Sequence, residues 1–143
     1  MRNIILFVIV FFLLSCSGTS SPEDVTKAQI LEIIDAIEAS FIFNDLPGIM
    51  ENYHFGFLHN GDNYSLEEEV WEQRLNNYAE IDFSEINIEP VGDFATVYFI
   101  MTLYDNDGGS VVTQEPSDEN GDVSYFYREY DGWKICGKEF SVP

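Results

Sequence analysis

The stretch Phe94–Tyr104 (FATVYFIMTLY) places the strongest constraint on what this chain can fold into. It alternates with a period of two and carries apolar groups on both faces. Ala95, Val97, Phe99, Met101 and Leu103 form one set; Phe94, Thr96, Tyr98, Ile100, Thr102 and Tyr104 form the other. Successive side chains of a strand point to opposite faces of its sheet, so the segment reads as one long strand. Ile86, Ile88 and Pro90 mark a strand before it, turned back by Val91-Gly92-Asp93. Residues 123–130 and 133–140 read as a hairpin across Asp131-Gly132.

Upstream the period is three to four. Residues 24–43 read as an amphipathic helix, with Ile30, Ile33, Ile34, Ile37 and Phe41 opposite Asp24, Lys27, Glu32, Asp35 and Glu38. Asp45 suits the N-cap of a short second helix and Pro47 its first turn. Residues 55–63 (FGFLHNGDN) hold an Asn60-Gly61 turn signal. Ser65 and Glu68 have capping-box spacing, opening a third helix to about Asn77 with Leu66, Val70, Trp71 and Leu75 inward. Three helices followed by an antiparallel sheet give an α+β layer structure of one domain. No internal repeat is evident.

Residues 4–14 (IILFVIVFFLL) are an unbroken apolar run behind Arg2. A positive start, a short apolar stretch and then small residues make a secretory signal peptide. Crossing a bilayer as a helix takes roughly 20 apolar residues, more than this run supplies. Leu13-Leu14-Ser15-Cys16 resembles the lipobox of bacterial lipoproteins. That resemblance implies cleavage before Cys16 and a lipid on its thiol and amino group. Each buried CH₂ adds about 0.8 kcal/mol, and stable anchoring takes more than one acyl chain. The implied organisation is a signal peptide over residues 1–15, a lipidated cysteine and tether over 16–23, and a domain over 24–143. The same resemblance, with the small uncharged Ser17 after the cysteine, implies the outer membrane of the cell envelope, with the domain periplasmic or surface-exposed. A lipidated Cys16 leaves Cys136 unpaired, as a small buried hydrophobe.

With 6 basic and 26 acidic residues the formal net charge is −20. Loss of residues 1–15 removes Arg2 and no acid. Such a charge repels phosphate backbones and anionic headgroups, which excludes nucleic-acid binding and leaves membrane attachment to the lipid.

Three passages, in order, resemble the nuclear transport factor 2-like superfamily, especially its SnoaL-like and DUF4440-type members. They are FIFNDLPGIMENYH, INIEPVGDFATVYFIM and YREYDGWKICGKEF. The resemblance implies a cystatin-like cone, a curved antiparallel sheet wrapped around three N-terminal helices with a pocket inside. It also implies a homodimer through the outer sheet face, here Thr96, Tyr98, Thr102 and Tyr104. Ketosteroid-isomerase-like members use a tyrosine, an aspartate base and an aspartic acid. Carried onto this chain, those places fall at Ile37, near Gly61 beside Asp62, and near Phe126, so that chemistry is not supported.

His54 and His59 are the two histidines. Neutral histidine is the natural base near pH 7. His54, His59 and Asp62 are therefore the catalytic candidates, set against their reading as helix-end and loop residues. Tyr53, Trp71 and Tyr125 offer aromatic surface for a ligand pocket, or core. Arg128 could clamp an anion inside the cone or form a cross-strand ion pair. Asp105-Asn106-Asp107-Gly108-Gly109 departs from a calcium loop, with Ser110 at the glycine place and Pro116 where glutamate belongs. It and residues 118–122 read as turns. No zinc spacing, P-loop or dinucleotide fingerprint occurs, and no metal or cofactor is expected. The sequence favours a binding module for a small, largely apolar ligand. The alternatives are a SnoaL-like proton-transfer enzyme and a protein-interaction domain.

Overall fold

A computed structural model describes residues 20–117 and 120–142. The signal peptide, the lipobox and Cys16 lie outside the described residues. Helix α1 (Pro22–Ile42) opens on a capping box, with the Ser21 hydroxyl accepting from the Asp24 N–H and Asp24 reaching back to Ser21. It buries Ile30, Ile34, Ile37 and Phe41. Helix α2 (Leu46–Met50) is capped by Asp45, which accepts from the Gly48 N–H. The short strands β1 (Leu58–His59) and β2 (Asp62–Asn63) pair across Asn60-Gly61. Among the described residues no helix is long and apolar enough to cross a membrane.

Helix α3 (Tyr64–Asn77) departs from expectation. Its cap is Asn63, whose side-chain oxygen accepts from the Ser65 and Leu66 N–H groups, so Ser65 lies inside the helix. The inward face is turned accordingly. Trp71 is fully buried and Glu67 buried, whereas Leu66 is exposed.

Five strands form the main antiparallel sheet: β3 (Glu80–Val91), β4 (Phe94–Tyr104), β5 (Ser110–Glu115), β6 (Tyr125–Glu129) and β7 (Gly132–Ile135). Strand β4 is central. One edge pairs with β3; the other is shared, β5 lying along Phe99–Tyr104 and β6 along Phe94–Thr96. The sheet therefore forks along this edge of β4. A register shift between Ser84 and Asn87, with Glu85 at φ 54°, bends β3. The expected inner set of β4 is buried throughout and packs with α1, Trp71, Phe126 and Ile135 into one core.

Candidate functional site

Of four hollows among the described residues, two hold the candidate site residues. The larger, about 470 Å³, lies between α2, the start of α3 and the β6–β7 turn. Pro47, Met50, Tyr53, Phe55 and Tyr64 give it an apolar wall; Glu51, Glu68, Glu129, Asp131, Lys134 and His54 complete it. The smaller, about 170 Å³, is lined by His59, Asn60, Asp62, Glu67, Val70, Arg74 and the Asn120–Asp122 stretch.

A buried polar network backs the smaller hollow. The Trp71 Nε1–H donates to the Tyr53 hydroxyl at 2.8 Å, which donates to Glu67 Oε1 at 3.3 Å. The Arg74 guanidinium meets Asp122 Oδ2 at 2.6 Å and Glu67 Oε1 at 3.9 Å, and lies over the Trp71 ring at 4.6 Å. Burial, and then the neighbouring Asp122 charge, push the Glu67 carboxyl up to about 10. Burial alone would raise Asp122 as well, but Arg74 and hydrogen bonds from Arg74 and Glu67 hold it below its ordinary value. The pair thus reads as a neutral Glu67 carboxyl bonded to an ionised Asp122. Beyond it, burial and Asp122 raise Glu115 to about 8. Its Oε2 accepts from Ser124 Oγ at 3.3 Å, while Oε1 is buried with no partner among the described residues.

The candidates separate. His54 lines the larger hollow with both ring nitrogens engaged. Nδ1 accepts from the Gly56 N–H at 2.7 Å, which puts the proton on Nε2, 2.9 Å from Glu129 Oε1. His59 is buried, and it and Asp62 are register partners across β1–β2; both line the smaller hollow. Tyr53 lines the larger hollow, but Trp71 is core. Tyr125 lies half-buried against the His59 ring, 5.8 Å between centroids. Arg128 is exposed, hydrogen-bonded to Asp93 and 5.7 Å from the Trp133 ring; it lines neither hollow, so a clamp inside the cone is not formed. Ile37 and Phe126, on two of the isomerase places, are fully buried core. Asp105 spends one carboxylate oxygen on the Asp107 and Gly109 N–H groups, a turn. Cys136 is buried, and that burial lifts its thiol to about 12.

Glu67, Arg74, Asp122, Glu115 and Glu129 are the site residues that sequence reasoning passed over. One signal was present. Glu67, Trp71 and Arg74 stand at four- and three-residue steps on one helical face.

No protein-family model and no curated protein matches the sequence. Solved structures do match. An NTF2-like protein of unknown function from Pseudomonas putida aligns with TM-score 0.61 at 14% identity, over 83% of this chain and 87% of the other. A protein with a cystatin-like fold from Nostoc punctiforme aligns with TM-score 0.60 at 15% identity, over 82% and 89%. This chain has the NTF2-like, cystatin-like fold. Bd1075 of Bdellovibrio bacteriovorus also matches, with TM-score 0.61 at 16% identity over 87% of this chain, which spans 45% of its length. The NTF2-like fold is a frame for ligand-binding and enzymatic domains alike and does not by itself fix a function.

Proposed function

We propose that this is a lipid-anchored protein of the bacterial cell envelope, held by Cys16 at the outer membrane, whose NTF2-like domain binds a small, largely apolar ligand without transforming it. The observation that carries the binding role is the larger hollow. Its volume of about 470 Å³ and its wall of Pro47, Met50, Tyr53, Phe55 and Tyr64 suit a small organic molecule. The non-catalytic reading draws support from His54, the histidine on that wall, whose two nitrogens are already engaged. Native mass spectrometry on protein purified from the envelope tests the role. A bound small molecule that is lost from Tyr64→Ala supports it; a bare protein that takes up no compound in a fragment screen refutes it. Cys16→Ala should move the protein to the soluble fraction with the domain still folded. A second copy of the chain, meeting the exposed Tyr98 and Tyr104 and the half-buried Thr96 on the outer sheet face, is the proposed partner, and sedimentation equilibrium tests it; Thr102, expected on that face, is buried and takes no part.

A second reading has its own observation. In the smaller hollow a neutral Glu67 carboxyl, an Asp122 carboxylate, Asp62 and His59 converge. Titratable neighbours with divergent protonation are the equipment of acid–base chemistry, as in a SnoaL-like enzyme. A structure neighbour from Streptomyces avermitilis, 14% identical with TM-score 0.59, is described as a candidate dehydratase of the NTF2-like family. Turnover abolished by Glu67→Gln, with binding retained, distinguishes this reading.

A further inference from the structure

We infer that the larger hollow selects an organic cation, a protonated amine or quaternary ammonium group carried on a small apolar body. This rests on the ligand-binding reading above and adds the charge of the ligand to it.

Two independent features of the hollow converge. The first is its charge balance. Glu51, Glu68, Glu129 and Asp131 stand around it against one lysine, Lys134. The lysine is held at one edge, where Nζ donates to the Glu51 backbone carbonyl at 2.7 Å. His54 adds no positive charge in this arrangement, since its Nδ1 accepts a hydrogen bond and its single ring proton faces Glu129. Among the described residues Glu68 and Asp131 are in no ion pair. Four carboxylates against one ammonium, over low-dielectric walls, focus a negative potential into the opening.

The second feature is the aromatic wall. The Phe55 and Tyr64 rings lie 5.2 Å apart and tilted by 32°. Tyr64 is fixed by its hydroxyl, which donates to the Met50 carbonyl at 3.2 Å. Phe55 is 86% exposed, an aromatic face left open beside the carboxylates. Burial of Tyr64, followed by the charges of Glu68 and Glu51, raises its phenol, which places those carboxylates within electrical reach of the wall. A cation over an aromatic face is attracted by the ring quadrupole. A neutral apolar guest would strip water from the carboxylates with nothing to pair them, and an anion would meet their repulsion.

Three probes of one shape separate the possibilities by calorimetric titration: benzyltrimethylammonium, benzyl alcohol and benzoate. The cation should bind about tenfold tighter than the alcohol, with benzoate weakest, and the preference should shrink as salt rises. The double variant Glu68→Gln with Asp131→Asn should lower the cation's affinity about tenfold and raise the alcohol's, so that the preference for the cation is lost. Alcohol or benzoate binding as tightly as the cation overturns the inference and leaves the binding role standing. Failure of all three probes to bind the wild-type protein overturns both.

Discussion

The Tyr53 hydroxyl donates to Glu67 Oε1, so a single hydrogen bond joins the wall of the larger hollow to the wall of the smaller. Tyr53 is also the acceptor for Trp71 Nε1, and all three side chains are buried. Tyr53→Phe keeps the ring and removes both bonds. It leaves the indole N–H buried without a partner, which costs about 1–3 kcal/mol. Urea unfolding should show that loss. A change under about 0.5 kcal/mol would mean that water or a neighbour replaces the hydroxyl.

Glu115 gives the protein a pH dependence of defined sign. Its carboxyl is raised from 4.5 to about 8, so the folded state keeps a proton that the unfolded chain releases. Stability therefore falls as pH rises from about 4.5 to about 8 and levels off above. The limiting slope is about 1.4 kcal/mol per pH unit for one whole proton. Glu67 acts with the same sign over a wider window, up to about 10. Glu115→Gln removes the first contribution alone. Compared between pH 5 and pH 8, the variant should gain on the wild type as pH rises. Parallel stability curves would show that Glu115 is ionised in the folded protein.

Arg74 is the cation that makes the cluster tolerable. Asp122 and Glu67 are both buried, and Arg74 lies 2.6 Å from the first and 3.9 Å from the second. Arg74→Met retains the stem over Trp71 and removes the charge. An unpaired buried carboxylate should cost about 3–5 kcal/mol. Adding Asp122→Asn should restore part of that loss, because contacting residues are not additive. Additive losses in the double-mutant cycle would refute the pairing.

Strand β4 was legible in the sequence because a two-residue period survives any tertiary arrangement: all five expected inward residues are buried. Helix α1 and the Asn60-Gly61 turn were legible for the same reason, being written in local chemistry. Helix α3 was not. Counting apolar residues turned Leu66 inward, but Glu67 occupies the core side and Leu66 is exposed. What holds Glu67 there is Arg74 and Asp122, and Asp122 lies 48 residues beyond Arg74. Asp122 itself sat in an acidic stretch whose local reading is a turn, and the fork between β5 and β6 carries it into the interior. The site is the part of the molecule made by long-range pairing, and a one-dimensional period does not record it.

Arg128 closes the contrast between the two readings of a basic residue on a strand. It is one of six basic residues in a chain of net charge −20, which makes a ligand-clamping role attractive from sequence. Its side chain instead pairs with Asp93 across the sheet, half exposed at 50% against 57% for its partner. Exposed pairs of this kind contribute about 0–1 kcal/mol. Arg128→Ala should therefore lower stability by less than about 1 kcal/mol. The affinities for the benzyl cation and the benzyl alcohol should both be unchanged, since Arg128 lines neither hollow. Calorimetry and urea unfolding on the same preparation check both parts. Loss of affinity with intact stability would put Arg128 in contact with the ligand and overturn this placement.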